Sequence, residues 1–426
     1  MWLGLAALVV LIVTAPMTAA RAQTPVGEMT VDALLRRALD RHPDLEAARL
    51  DVEAATARVR QAGLRPNPML DLSGQKALGS DNNIMVGVTV PLDLNGRKEG
   101  RVGVAERELD MKHAQLADRE RRLRADLRLK AAEVLAARRN LSTIRDLLET
   151  NRRAVEIVGA RVREGAVPAL DLNVQLVEAN RLEASETLHA SRVEILTLQM
   201  KALAGVAADT SLSLTGDLGD VATLPEQSTA LQTATTERPD LAVIRAELAT
   251  AAARVRKEEA EGRWDASVNV GYQRQQMGFG VMGITESGGT REVADTFHFF
   301  GAGVTITLPV RNRNQGSIAA ARAETRAVDR RRELVELTIR QEVQSAYAQY
   351  AAARRGVDLY ERGVRDVARR NYDAIRRAYE LGRGSLLDVI GEQRRYLDVE
   401  TGYTDTLKQL YDATAEIERA TGMWLH

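Results

Sequence analysis

Two aspartates in matching contexts are the residues best placed to act on another molecule. Asp171 lies six positions after Gly165, and Asp388 lies six after Gly382. A carboxylate that opens a helix answers the positive end of its dipole, so each aspartate has a purely structural use. The second use is electrostatic. If several copies of the chain brought these groups to one narrow opening, rings of carboxylates would attract cations and repel anions. No bond-making chemistry accompanies them. HExxH, GxxxxGK and GxSxG patterns are all missing. There is no cysteine, which excludes disulfides, thiolate metal sites and a thiol nucleophile. The five histidines, at 42, 113, 189, 298 and 426, stand at spacings that give no chelate. The reading is therefore no catalytic residue, no cofactor, no dedicated metal site and no enzyme. Gly278 to Gly283 spells GxGxxG, but no helix with a ribose-binding acid follows, and it reads as a glycine-rich loop.

The surrounding chain must hold those aspartates. It has 426 residues, with 59 Lys+Arg against 59 Asp+Glu, 45% hydrophobic residues and only 4% aromatics. Zero net charge argues against nucleic acid as a partner. Few aromatics with abundant Ala, Leu, Arg and Glu point to long helices that bury a narrow stripe. Trp2 to Val13 is nearly all apolar, and Ala20-Arg21-Ala22 fits a signal-peptidase site with Gln23 as first mature residue. The run is shorter than the ~20 residues of a permanent membrane helix, and no later segment reaches that length.

The mature chain is one unit duplicated. RHPDLEAARLDVEAATARVRQA (41–62) aligns with ERPDLAVIRAELATAAARVRKE (237–258), 196 positions on. GVTVPLDLNGRKEG (87–100) aligns with GVTITLPVRNRNQG (303–316), 216 on. REGAVPALDL (163–172) aligns with ELGRGSLLDV (380–389), 217 on. The jump of 20 between the first two places an insertion in the second unit, at 276–297. Residues 1–22 read as a signal peptide. Residues 23–222 form the first unit: helix, hairpin about 67–91, long helix about 97–164, turn, helix about 171–205. Residues 223–426 repeat it: helix, hairpin about 264–309, long helix about 313–381, turn, helix about 386–421. The leading helices are read as continuous, about 30–63 and 226–262.

Leu109, Leu116 and Leu123 recur by seven, as do Leu127, Val134, Leu141, Leu148, Val155 and Val162 after a step of four. Val343, Ala346, Tyr350, Ala353, Val357, Tyr360, Val364 and Val367 alternate steps of three and four, a coiled-coil seam. Helices alone would suit a soluble scaffold. The hairpin segments alternate instead. Ile84, Val86, Val88 and Val90 interleave with Met85, Gly87 and Thr89. Phe300, Ala302, Val304, Ile306 and Leu308 interleave with small and polar residues. One apolar and one polar face suit a barrel with lipid outside and water inside. Four strands cannot enclose a water-filled lumen, whereas three protomers supply twelve. Trp264, Tyr272, Phe297, Phe299 and Phe300 read as an aromatic girdle at the strand ends.

HPDL (42–45) with RPDL (238–241), RPNPML (65–70), VPLDLNGRKEG (90–100) and YELGRGSLLDV (379–389), in this order, resemble the TolC-like outer-membrane efflux factors over residues 28–422. The resemblance implies a mainly α fold with a small β part. It implies a homotrimer with a 12-stranded transmembrane β-barrel in the outer membrane of a Gram-negative bacterium and an α-barrel tunnel in the periplasm. It implies a passive efflux duct working with a periplasmic adaptor and an inner-membrane pump. RPNP and LDLNGRK resemble the heavy-metal branch, which favours metal cations as cargo, although many of that branch begin with a lipidated Cys that is absent here. Multidrug efflux or type I protein secretion is the alternative in the same class; the soluble scaffold is the remote one. Asp171 and Asp388 match acidic residues at the family's closed aperture, and Tyr379 matches a gate-bonding tyrosine. The family's arginine five residues beyond it is Gly384 here, with Arg383 beside it. Gly165 and Gly382 read as the hinges of the two helix turns. Ala166, Val167, Pro168, Ala169, Arg383, Gly384, Ser385 and Leu386 read as the exposed tip on which an adaptor docks.

Overall fold

The computed structural model describes residues 27–78, 81–220 and 222–424; the expected signal peptide lies outside them. In chain order the elements are β1 (Glu28–Thr30), α1 (Val31–Arg41), α2 (Pro43–Ala62), β2 (Met69–Lys76), β3 (Asn82–Pro91), α3 (Arg97–Arg163) and α4 (Ala169–Leu203). Then follow β4 (Ser213–Thr215), α5 (Gln227–Glu237), α6 (Pro239–Glu261), β5 (Asp265–Ile284), β6 (Thr290–Thr307), α7 (Gln315–Leu359), a π-turn (Tyr360–Val364), α8 (Arg365–Glu380) and α9 (Leu386–Thr421).

The leading helices are not continuous. Each breaks before the proline of its PDL motif, because a proline has no N–H for the preceding turn and clashes with it. Pro43 and Pro239 instead occupy first-turn positions of α2 and α6. The breaks are matched by capping arginines 196 positions apart. Arg49 donates to the Leu39 and Asp40 carbonyls at the end of α1. Arg245 donates to the Thr235 and Thr236 carbonyls at the end of α5. Against the two prolines lie the helix-ending glycines of the following rods. A Cβ on Gly205 would stand 3.0 Å from Pro43 Cδ, and one on Gly422 would stand 3.2 Å from Pro239 Cδ. Both glycines have left-handed φ, +64° and +73°. A short parallel pair, β1 with β4, closes this waist of the molecule, with Met29 opposite Leu214. Leu34, Leu35 and Ala38 of α1 pack there with Leu127, Ala131 and Val134 of α3 and Met200 of α4.

α3 is one unbroken helix of 67 residues, ~100 Å long at ~1.5 Å per residue. Its heptad residues Leu123, Leu127, Val134, Leu141 and Leu148 are buried. The second rod differs. Its seam holds through Val343, Ala346, Ala353 and Val357, all buried, but Val364 and Val367 are 45% and 47% exposed. Tyr372 is buried in their stead, with Ile375 and Tyr379 packed on the same cluster. The stripe has moved on by one residue. The π-turn causes this, with Gly363 at φ +153° inside it, since such a turn inserts one residue into an α-helix. The repeat offset rises from 216 at Gly100/Gly316 to 217 at Gly165/Gly382 over this stretch. Tyr403 donates to Glu361 at 3.0 Å, and Arg365 grips Glu400 with two bonds of 3.0 and 2.9 Å, so the turn is clamped to α9 on both sides.

The sheet has the order β2-β3-β5-β6, antiparallel throughout. Its register puts odd-numbered residues of all four strands on one face and even-numbered ones on the other. The even face carries Leu70, Leu72, Ile84, Val86, Val88, Val268, Val270, Val304 and Ile306; the odd face carries Asp71, Ser73, Thr89, Ser267, Asn269, Gln273 and Thr305. Among the described residues no helix covers the apolar face: Leu72 is 68% and Phe300 84% exposed. Gly278 to Gly283 is not a loop. It continues β5, with a bulge between Gly278 and Met282. β5 and β6 thus outrun the first hairpin, whose turn ends at their Gly278, where Asp81 accepts the Gly278 N–H at 2.6 Å. The girdle is also corrected. Tyr272 and Phe300 lie on the apolar face, whereas Phe297 and Phe299 stand opposite Gln275 and Gln273 on the polar one.

Below the sheet, Glu418 of α9 is buried against Arg128, 3.1 Å away. Burial pushes its carboxyl up to about 7, more than Arg128 and Arg124 pull it down. A raised acid holds its proton in the folded state after the unfolded chain has lost it. Stability therefore falls as pH rises from ~4.5 to ~7, by about 3 kcal/mol, and is level above. Melting of the helical circular dichroism should come at lower temperature at pH 8 than at pH 5, and Glu418→Gln should shrink that difference.

Candidate functional site

The two helix turns lie side by side at the far end of the rods. Both end in the same hydrogen-bond pattern. Ala166 donates to the Arg161 carbonyl and Gly165 to that of Val162. Arg383 donates to the Ala378 carbonyl and Gly382 to that of Tyr379. Such a closure needs a left-handed residue after the helix, which glycine supplies without strain; φ is +73° at Gly165 and +75° at Gly382. Arg161 also donates to the Glu380 carbonyl at 2.9 Å, tying the end of α3 to the end of α8.

The returning helices start differently. Ser385 caps α9, its hydroxyl accepting the Leu387 N–H at 3.2 Å. Pro168 precedes α4 without a side-chain cap. Asp171 and Asp388 sit in the first turn of α4 and α9 respectively. Asp388 is exposed and Asp171 half-buried. Asp171 lies near Tyr379, and that carboxylate adds to burial in pushing the Tyr379 phenol above its ordinary value. One chain thus brings Asp171 and Tyr379 together, while Asp388 faces solvent on its own helix.

Of the tip residues, Ala166, Pro168, Ala169, Arg383, Gly384 and Ser385 are exposed and Val167 is half-buried. Leu386 is not exposed. At 6% it is buried, packing inward with Val389 and Ile390 one turn on. The exposed leucines are its neighbours: Leu387 at 69%, Leu170 at 67% and Leu381 at 73%. The helical period contains the distinction. Leu386, Val389 and Ile390 share the i, i+3, i+4 face, and Leu387 falls off it.

Behind the tip, sequence reasoning missed a polar layer between the two hairpins. Asn151 of α3 is 2% exposed and donates to Gln393 of α9 at 3.3 Å. Glu178 of α4, 3% exposed, accepts from Arg394 of α9 at 2.8 Å. A cavity of about 200 Å³ lies beside them, bounded by Asn151, Gln175, Tyr379, Leu386 and Gln393. The signal was a polar Asn151 inside the apolar stripe between Leu148 and Val158. Desolvation offsets much of what such a buried ion pair gains, while breaking it would leave an uncompensated buried charge. Among the described residues, no group of three or more His, Cys, Asp or Glu could hold a metal. Among them too, no helix is long and apolar enough to cross a membrane.

The family model described as outer membrane efflux protein matches residues 34–206 and 230–423. The cobalt-zinc-cadmium resistance protein CzcC of Cupriavidus metallidurans is 24% identical over 400 residues, covering 93% of this chain and 90% of that protein. The nickel-cobalt-cadmium resistance protein NccC of Alcaligenes xylosoxydans xylosoxydans is 25% identical over 332 residues, 75% of this chain and 70% of that protein. Among solved structures, CusC superposes with a TM-score of 0.73 at 16% identity, covering 92% of each chain.

Proposed function

The chain belongs to the outer membrane efflux protein family, and from that premise we propose that it is the passive exit duct of a metal-cation efflux system, assembled as a homotrimer with a periplasmic adaptor and an inner-membrane pump. It is an outer-membrane efflux channel, and its family consists of channels rather than enzymes.

The observation that carries the trimeric barrel is the four-stranded sheet with two bare faces and two free edges, β2 and β6. An apolar face of that size has no partner among the described residues, and lipid is the solvent that suits it. Free edges leave backbone groups unpaired unless a neighbour continues the sheet. Three copies joined edge to edge supply twelve strands, with the odd face toward water. The metal assignment is supported by the relatives, which are named for cobalt, zinc, cadmium and nickel resistance. Under threefold symmetry Asp171 and Asp388 form carboxylate rings at the closed end. Gly165 and Gly382 are its turns, Tyr379 and Arg383 flank the aperture, and the exposed tip meets the adaptor. The exposed Leu170, Leu381 and Leu387 enlarge that docking surface.

A growth panel on a strain lacking the gene tests the cargo. Divalent metals should inhibit it at several-fold lower concentration than the parent, with dyes, detergents and antibiotics unchanged, and the gene should restore resistance. Sensitisation to the organic compounds alone would make this a multidrug exit.

A further inference from the structure

All four phenylalanines of the chain, at 279, 297, 299 and 300, lie in the β5–β6 hairpin. Three form one cluster. Phe279 meets Phe297 edge-on with ring centroids 6.4 Å apart, and Phe297 meets Phe299 at 6.4 Å and 31°. Phe297 and Phe299 stand among glutamines on the odd face, and Phe279 rises from the bulge where the hairpin leaves the four-stranded sheet. The rings are 36% to 51% exposed, so they are not a core.

The charges nearest the rings are carboxylates; Arg291, also odd-numbered, lies farther out on β6, opposite Gly283. Asp295 shares the odd face two residues beyond Phe297, and Asp71 lies lower on it. Asp81 closes the first hairpin at the level of Gly278. None of the three has an ion-pair partner among the described residues. The basic residues of these strands at that level, Lys76 and Arg274, are even-numbered and belong to the opposite face. Aromatic faces attract cations, and desolvated ones most, while a carboxylate alone prefers small hydrated ions. Aromatic rings and carboxylates together suit a cation with an apolar body.

We propose that Phe279, Phe297 and Phe299, with Asp295 and Asp81, form a binding site for aryl-bearing organic cations on the water-facing wall at the outer mouth of the duct. This rests on the barrel reading above, which puts the odd face inside.

Single-channel recording in a planar bilayer tests it, with tetraphenylphosphonium or tetramethylammonium added on the hairpin side. Tetraphenylphosphonium should block at a concentration at least tenfold lower than tetramethylammonium. Joint replacement Phe297→Ser and Phe299→Ser should abolish that preference. Phe297→Leu with Phe299→Leu, which keeps the wall apolar, should weaken it at least threefold, and Asp295→Asn should weaken block by both cations. Equal block by the two cations in the unaltered protein overturns the site, and so does an aryl preference that survives either Phe pair. If a variant forms no pores, the comparison of the two cations on the unaltered protein decides. A preparation that forms no pores at all, with trimer absent on unheated gels, refutes the barrel reading instead.

Discussion

Gly422→Val should abolish assembly, leaving no heat-modifiable trimer, whereas Gly382→Ala should leave assembly intact. The two glycines share a left-handed backbone, φ +73° and +75°, so the backbone penalty on an L-residue is common to both, about 1–2 kcal/mol and more for a β-branched side chain. Space separates them. Nothing lies within 4 Å of a Cβ at Gly382, while one at Gly422 meets Pro239 Cδ at 3.2 Å and Arg238 Cα at 3.6 Å. The obstruction is rigid. The proline ring cannot rotate away, and Arg238 is 3% exposed, held by Asp240, Glu342 and the Ala420 carbonyl. Valine's methyls would drive the end of α9 off α6, disturbing Ile417 and Leu241, both fully buried. Overpacking costs typically ~1–3 kcal/mol, and together with the backbone term it consumes much of the ~5–15 kcal/mol that holds a domain folded. Gly205→Val should behave alike, against Pro43 at 3.0 Å. Trimer yield on unheated gels, beside circular dichroism melting, reads both; intact trimer in Gly422→Val would refute the account.

The second large effect concerns selectivity. In a KCl gradient across a planar bilayer, joint Asp171→Asn and Asp388→Asn should move the reversal potential most of the way to zero, lowering the cation-to-anion permeability ratio several-fold. Six charges vanish from one constriction of the proposed trimer. Screening acts over ~10 Å at ~0.1 M salt, so the loss should be larger at ~0.02 M than at ~0.5 M. A merely helix-opening role gives another result. Each aspartate then contributes about 0.3–1 kcal/mol through the dipole, and the variant melts slightly earlier with an unchanged reversal potential. That outcome would discard the charge rings.

Much of the architecture was legible because duplication writes the long helices and the hairpins twice. The aligned PDL motifs, the hairpins and the two glycine turns gave element order without reference to any contact. Misreadings arose where one residue decides. A proline at the start of a helix and one inside it look alike along a periodic stretch, so α1 and α2 merged at His42. Leu386 and Leu387 have the same side chain, and only the phase of α9 buries one. Phe297, Phe299 and Phe300 are near neighbours, and strand register alone assigns them to different faces. β1 and β4 are three residues each, too short for any periodicity. Of the site, the glycines and aspartates could be located by pairing the repeats. The links from Asn151 to Gln393 and from Glu178 to Arg394 could not, since each joins helices from different units, 242 and 216 positions apart.

The extra residue at Gly363 makes the two halves of the chain mechanically unlike. α3 is a stiff strut from waist to tip, and its counterpart has a joint where the hydrogen-bond ladder changes step. In a ring of three chains, struts and jointed legs alternate, and a sixfold-looking tube has only threefold compliance. The joint is pinned to α9 by Tyr403 on Glu361 and by Arg365 on Glu400, so each jointed leg carries α9 with it. In the proposed trimer the tube is therefore a tripod with three stiff feet and three hinged panels between them.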